Sequence, residues 1–222
     1  MKRTLFAVAA IVLVAGFWFG VDYYKSGRSA DLDFMAQGSA STFVRPHSPT
    51  LGSDDARVVV VKFTDPACET CARFSPYVRQ ALEAFPGQIK FVLRYAPFHE
   101  GSDQVVRILE AARMQGKLWE TLELLYAKQD VWTHNHRVIV SKIWPLLPEL
   151  GLDVERLRTD MADPRITAVI EQDRADLEKL GVRKTPGFFV NGKPLEPFGA
   201  RPLVALIKAE ILEQYPKNEE TK

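Results

Sequence analysis

The chain is poor in the residues that metal and disulfide scaffolds need. In 222 residues it has two cysteines, Cys68 and Cys71, and four histidines, His47, His99, His134 and His136, spread along its length. A structural zinc site wants four ligands, usually two cysteine pairs or one pair with two histidines, and no second pair exists. Nor does the fold need disulfide staples, because 46% apolar and 10% aromatic residues can bury a substantial core. Charge of one sign is also missing. Lysine and arginine total 29 against 28 acids, a formal charge of +1, without a basic stripe interleaved with aromatics. No nucleic-acid partner is expected. Internal repeats are absent too.

One long uncharged run is present. After Met1-Lys2-Arg3-Thr4 come 17 residues, "LFAVAAIVLVAGFWFGV", and then Asp22. As a helix this run would extend about 26 Å, the short end of a membrane crossing. Lys2 and Arg3 favour a cytoplasmic N-terminus, with Trp18, Phe19, Tyr23 and Tyr24 at the far headgroups. The competing reading is a cleaved signal peptide, but bulky rings follow the run and the best small-residue site, "GSA" at 38–40, lies far downstream. Residues 1–24 are therefore read as a membrane anchor (or signal peptide). Either way the body is exported, where cysteine pairs can be oxidised.

Residues 25–41 are polar, with glycines and serines, and read as a tether. A compact unit is expected over 42–215, followed by a polar tail at 216–222. In it "TFV" at 42–44 reads as a short first strand, and "RVVVVKF" at 57–63 as a buried one. A helical pattern runs from Cys68 to Phe85, and Pro76 inside it should kink the helix. "IKFVLRY" at 89–95 is the next strand. Helical stripes follow, first through Val105–Ala112 and Leu118–Tyr126, then near 137–147, 153–162 and 165–180. "GFFVNGKPLE" at 187–196 reads as two strands about an Asn-Gly turn, and Leu203 to Ile211 as a closing helix. Strand–helix–strand units of this kind imply an α/β class with the sheet covered by helices.

The two cysteines sit three apart where a strand gives way to a helix. On the first helical turn, the Cys68 sulfur would lie near unpaired N–H groups and the positive end of the dipole, which favour a thiolate. Cys71, one turn on, can attack a mixed disulfide at Cys68 and release the partner. Half a metal site and an inert disulfide closing a tiny ring are the rival readings. "THNH" at 133–136 is either a passing metal cluster or a solvated turn.

Three stretches in order resemble the thioredoxin superfamily, specifically its exported, DsbA-like branch of thiol–disulfide oxidoreductases. They are "SPTLGSDDARVVVVKFTDPACETC", "RYAPFHEGSDQVVRILEAARMQGKLWETLELLYAKQ" and "GVRKTPGFFVNGKPL". The resemblance implies a thioredoxin-like fold over 42–215 with an inserted helical subdomain at about 103–180, preceded by one transmembrane helix. It implies that Cys68 attacks, that Cys71 resolves, and that a cis bond between Thr185 and Pro186 lies against the pair and offers backbone to substrate. No cofactor is implied. The implied partners are exported proteins with cysteines and a membrane redox partner, a quinone-linked oxidase or a reductase.

The chain departs from that branch in three ways. Where many relatives carry an acid six residues before the first cysteine, it has Lys62, which is either a cation favouring the thiolate or a solvated edge residue. Between the cysteines stand Glu69 and Thr70 instead of a pair with a cation, so a milder thiolate tendency is expected. "FTDPAC" with Thr185 looks like the isomerase-like, DsbG-type members, yet between the expected anchor and the first strand there is no room for their N-terminal dimerisation domain, so it is not expected here. The resulting expectation is an inner-membrane, single-pass enzyme whose catalytic domain faces the periplasm or outer surface, with oxidation favoured. Reduction or isomerisation is the alternative. A non-catalytic anchored binding module is the alternative of a different class.

Overall fold

The computed structural model describes residues 42–216. The expected anchor and tether lie outside them. Among the described residues, no helix is long and apolar enough to cross a membrane.

The sheet grows from two β-branched or aromatic runs, β2 (Val58–Thr64) and β3 (Ile89–Tyr95), paired in parallel from Val58 opposite Ile89 to Thr64 opposite Tyr95. Nearly every residue of both strands is buried, as it must be when helices cover both sheet faces. β1 (Thr50–Gly52) pairs antiparallel with the outer edge of β3. On the other side β6 (Gly187–Val190) runs antiparallel to β2, and β7 (Lys193–Pro194) closes the order β1-β3-β2-β6-β7. The turn between β6 and β7 uses Asn191 at φ 47 and Gly192 at φ 81, the left-handed pair that a two-residue hairpin requires.

Parity along β2 decides what reaches the site. Val58 and Val60 face one core with α1 (Glu69–Ala84) and α7 (Ala200–Gln214), while Val61 and Phe63 face the other with Leu177 of α6 (Pro164–Lys179). Lys62 and Thr64 share the parity of Val60 and so point toward α1. On β3 the opposite parity sends Arg94 toward α6, where its guanidinium meets Asp173 at 2.7 Å and Asp176 at 2.6 Å. Asp173 also accepts the Tyr95 N–H at 2.7 Å, and Asp176 binds Arg45 at 2.7 Å. These buried charges are paired and hydrogen-bonded, which makes their burial tolerable and ties α6 to the sheet.

Between β3 and β6 lie α2 (Ser102–Arg113), α3 (Leu118–Ala127), a short α4 (Gln129–Trp132), α5 (Val154–Asp160) and α6. Two expectations fail. Thr42 and Phe43 are helical rather than a strand. Phe43 packs its ring 4.8 Å from Phe189 over the sheet face, and the edge beside β3 goes to β1. Gly52 permits that edge: its φ is 89, and a Cβ there would meet the Ile89 carbonyl at 2.2 Å. The helix expected at 137–147 is instead a hairpin, β4 (Thr133–His134) and β5 (Arg137–Val138), followed by 3-10 turns at Val140–Lys142 and Trp144–Leu150. Pro145 and Pro148 cannot donate to a helical ladder, and the run Val138-Ile139-Val140 is β-branched.

Candidate active site

β2 ends at Thr64, and the next four residues turn the chain into α1. Asp65 builds this turn. Its buried carboxylate accepts the backbone N–H of Ala67, Phe98 and His99, each at 2.8 Å, and it also binds His99 Nδ1 at 2.7 Å and the Ser102 hydroxyl. Gln129 Nε2 donates to the Pro66 carbonyl at 2.8 Å. Cys68 follows as the N-cap residue, its own N–H bonded to Asp65 O at 3.0 Å. The cap position puts Cys68 at the end of the helix where the first-turn N–H groups are free, although its side chain makes no capping hydrogen bond. Replacing Asp65 by Ala should leave several N–H donors unpaired, at about 1–3 kcal/mol each. We expect a loss on the order of 4 kcal/mol in urea unfolding. A loss below about 1 kcal/mol would contradict this reading of the turn.

Both cysteines are free thiols, and they differ in access. Cys68 is 8% exposed and Cys71 is fully enclosed. Cys68 Sγ lies 3.4 Å from the Thr185 carbonyl, and the Thr185–Pro186 peptide bond is cis. The Cys68 pKa is lowered to about 5, foremost by the hydrogen bond from the Cys71 thiol. Burial opposes the shift, and Thr185 and the N–H groups of Cys71 and Thr70 add to it. The Thr185 carbonyl can accept only from the protonated thiol, so the stabilising contact from that residue is its hydroxyl. Cys71 is pushed the other way, well above its ordinary value, by burial first and then by donating to Cys68. One sulfur is therefore a thiolate at neutral pH and its neighbour a thiol. Glu69 is exposed on the first turn and is not among the leading influences on Cys68.

Lys62 is neither solvated nor at an edge. It lies on the central strand, only 2% exposed, and its Nζ donates to the Cys71 carbonyl at 3.0 Å. Its ammonium sits 5.2 Å from the Tyr126 ring and 6.0 Å from the Phe188 ring. Burial lowers its pKa to about 8, while the two cysteines pull it back up. The Tyr126 hydroxyl pairs with Thr64 Oγ1 at 2.6 Å and completes the wall behind Cys71.

A groove of about 670 Å³ opens beside the pair, lined by Thr70, Lys184, Thr185, Pro186, Phe188 and Phe198 among others. Phe198, 54% exposed, packs 4.9 Å from Phe74 of α1. The structure thus brings together Cys68, Cys71, Thr185, Pro186, Thr70 and Lys62, and leaves Glu69 facing solvent. Asp65, Tyr126, Gln129 and Phe198 escaped the sequence reading. Only Asp65 carried a signal, as an acid-proline pair directly before the first cysteine. Among the described residues, no group of three or more metal-ligating side chains forms. His47 binds Asp173, while His99 binds Asp65 and stacks 5.5 Å from His136.

Residues 45–209 match the family model described as Thioredoxin. A thioredoxin-like oxidoreductase from Silicibacter pomeroyi DSS-3 superposes with a TM-score of 0.68 at 31% identity, covering 78% of this chain and 96% of that one. BdbD from Bacillus subtilis gives 0.65 at 26% identity, covering 74% and 92%. The thiol-disulfide exchange protein alpha-DsbA2 from Wolbachia pipientis shares the fold, with a TM-score of 0.69 at 18% identity over 82% and 97%. Among curated proteins, the Na(+)/H(+) antiporter NhaA of Herminiimonas arsenicoxydans is 30% identical over 159 residues, 71% of this chain. The chain spans about a quarter of that relative's length, the matched share being 25%.

Proposed function

The chain belongs to the thioredoxin family, and on that premise we propose that it is a thiol–disulfide oxidoreductase of the DsbA type, working as an oxidase of exported proteins. The observation that carries this reading is the division of labour between a cap-position Cys68 with a pKa of about 5 and an enclosed Cys71 pushed well above its usual value.

In the oxidative direction, a substrate thiolate attacks Cys68 Sγ of the closed pair. A bond forms between substrate sulfur and Cys68 as the Cys68–Cys71 bond breaks, and Cys71 leaves as a thiolate that takes up a proton. A second substrate thiolate then attacks the substrate sulfur and expels Cys68, so the substrate gains the disulfide and the enzyme keeps two electrons. Stabilising the expelled Cys68 thiolate favours the reduced enzyme, which makes its disulfide the stronger oxidant. In reverse, Cys68 attacks a substrate disulfide and Cys71 resolves the mixed species.

The uncharged run at 5–21 behind Lys2 and Arg3 supports a single-pass inner-membrane anchor that holds this domain on the periplasmic or outer face. Reoxidation then falls to a membrane redox partner, such as a quinone-linked oxidase. Retention of the full chain in the membrane pellet after carbonate washing is the expected result; release would favour a cleaved leader.

Two assays test the activity: oxidative refolding of a reduced substrate, which should proceed, and insulin reduction, which should be slower. Cys71→Ala should accumulate mixed disulfides through Cys68 in cells. Inactivity in both assays together with no trapped partner would favour an anchored binding module on the same fold.

A further inference from the structure

The groove beside Cys68 has two unlike rims. One is apolar, carrying Phe198 and Leu195 with Phe188 below them. The other is cationic: Arg183 and Lys184 lie next to Thr185, both are exposed, and neither has an ion pair among the described residues. A third cation, the exposed Arg73, reaches the same opening by donating to Thr70 Oγ1 at 3.0 Å. Lys193 makes the contrast, since its ammonium is already held by Glu210 at 2.7 Å and Glu213 at 3.4 Å. Two acids also stand near the mouth, Glu69 on the first turn of α1 and Glu196 on the far lip. Against these two acids the three cations leave one positive charge on the rim before the thiolate is counted, and two of them, Arg183 and Lys184, are adjacent on one side.

Resting on the oxidoreductase reading, we propose that the Arg183–Lys184 rim, with Arg73, selects protein substrates whose reactive cysteine lies in an extended segment with acidic side chains beside it. The geometry favours this occupant over a purely apolar one. The backbone at Thr185 stands 3.4 Å from Cys68 Sγ, so a segment whose cysteine meets Cys68 must pass directly by residues 183 and 184. An acidic neighbour would meet two charges that no protein group among the described residues neutralises. A basic neighbour would meet like charge. Complementarity of this kind governs encounter rate and partner choice more than final affinity, and salt screens it.

The test uses the reduced, full-length protein and three short peptides, each with one cysteine activated as its mixed disulfide with 5-thio-2-nitrobenzoate. The cysteine is flanked by aspartates, by lysines or by serines. Cys68 thiolate attacks the peptide sulfur, the peptide–thionitrobenzoate bond breaks, and the released thionitrobenzoate is followed by its absorbance. Rates are divided by those with free cysteine, which removes the peptides' intrinsic differences. At low ionic strength the aspartate peptide should react about five- to tenfold faster than the lysine peptide, and molar salt should level the two. The double variant Arg183→Glu, Lys184→Glu should reverse the order. Equal rates for wild-type protein at low salt, or a preference that molar salt leaves intact, would overturn the proposal whatever the variant does. Failure of the serine peptide to react would instead overturn the oxidoreductase reading itself.

Discussion

Reduced protein should gain stability over oxidised protein as the pH rises from 5 to 9. In the unfolded chain Cys68 titrates near its ordinary 9.0, and in the fold near 5. A depressed pKa stabilises the fold fully above the unfolded value, and that gain is lost as pH falls through the folded value. The slope between the two is about 1.4 kcal/mol per pH unit, so roughly 3 kcal/mol is present at pH 7. Closing the Cys68–Cys71 ring constrains the unfolded chain only slightly, about 2 kcal/mol for so short a loop. The reduced form should therefore be ahead at pH 7 by about 1 kcal/mol and behind by about 1.5 kcal/mol at pH 5. Cys71, held above its usual range, stays protonated across this window and does not alter the sign. Urea midpoints of both redox forms from pH 5 to 8 measure it. A stability difference that does not move with pH would contradict the thiolate assignment.

Replacing Lys62 by Met should stabilise the protein and slow it. Burial lowers the lysine from 10.5 to about 8. Below pH 8 the ammonium is charged in both the folded and unfolded states, and the fold bears the full cost of enclosing it. That cost is relieved only as the pH rises through 8. The size of the shift corresponds to about 3 kcal/mol, from which the lost bond to the Cys71 carbonyl takes back about 1. A net gain on the order of 2 kcal/mol at pH 7 is expected, because methionine fills the space without a charge. Chemistry should suffer in exchange. The ammonium favours a thiolate at Cys71, so its loss should lengthen the life of a mixed disulfide at Cys68 by about tenfold. Urea unfolding and the decay of a preformed Cys68 mixed disulfide test both halves. Destabilisation without slower decay would remove Lys62 from the site's electrostatics.

The pattern of legibility follows the range of the forces involved. Strands β2, β3 and β6 were readable because Val58–Val61 is a short β-branched run and Phe188–Val190 a short aromatic one beside an Asn-Gly turn, both too short for helices. The first strand was misplaced because Phe43 is buried by a long-range partner, Phe189, and nothing local distinguishes a face-covering aromatic from an edge strand. At 137–147 the apolar residues suit a helical stripe, but Pro145 and the β-branched run at 138–140 oppose a helix. Within the site, the cysteine pair announced itself by spacing. The surroundings of Lys62 did not, because whether a mid-strand lysine meets solvent or Cys71 depends on which strands flank it. Tyr126 and Gln129 come from α3 and α4, some 60 residues beyond the pair, to bond Thr64 and the Pro66 carbonyl ahead of it, so only the tertiary fold connects them.

The proposed chemistry needs a Cys68 sulfur that is ionised at neutral pH, held so foremost by an enclosed thiol neighbour and then by its place at a helix cap. Ultraviolet thiolate absorbance of the reduced protein, titrated from pH 3 to 10 with Cys71→Ala as reference, measures this directly. One thiolate should form with a midpoint near 5, and the midpoint should rise in Cys71→Ala, where the principal hydrogen-bond donor is gone. A wild-type midpoint near 9, the ordinary value for a thiol, would contradict it.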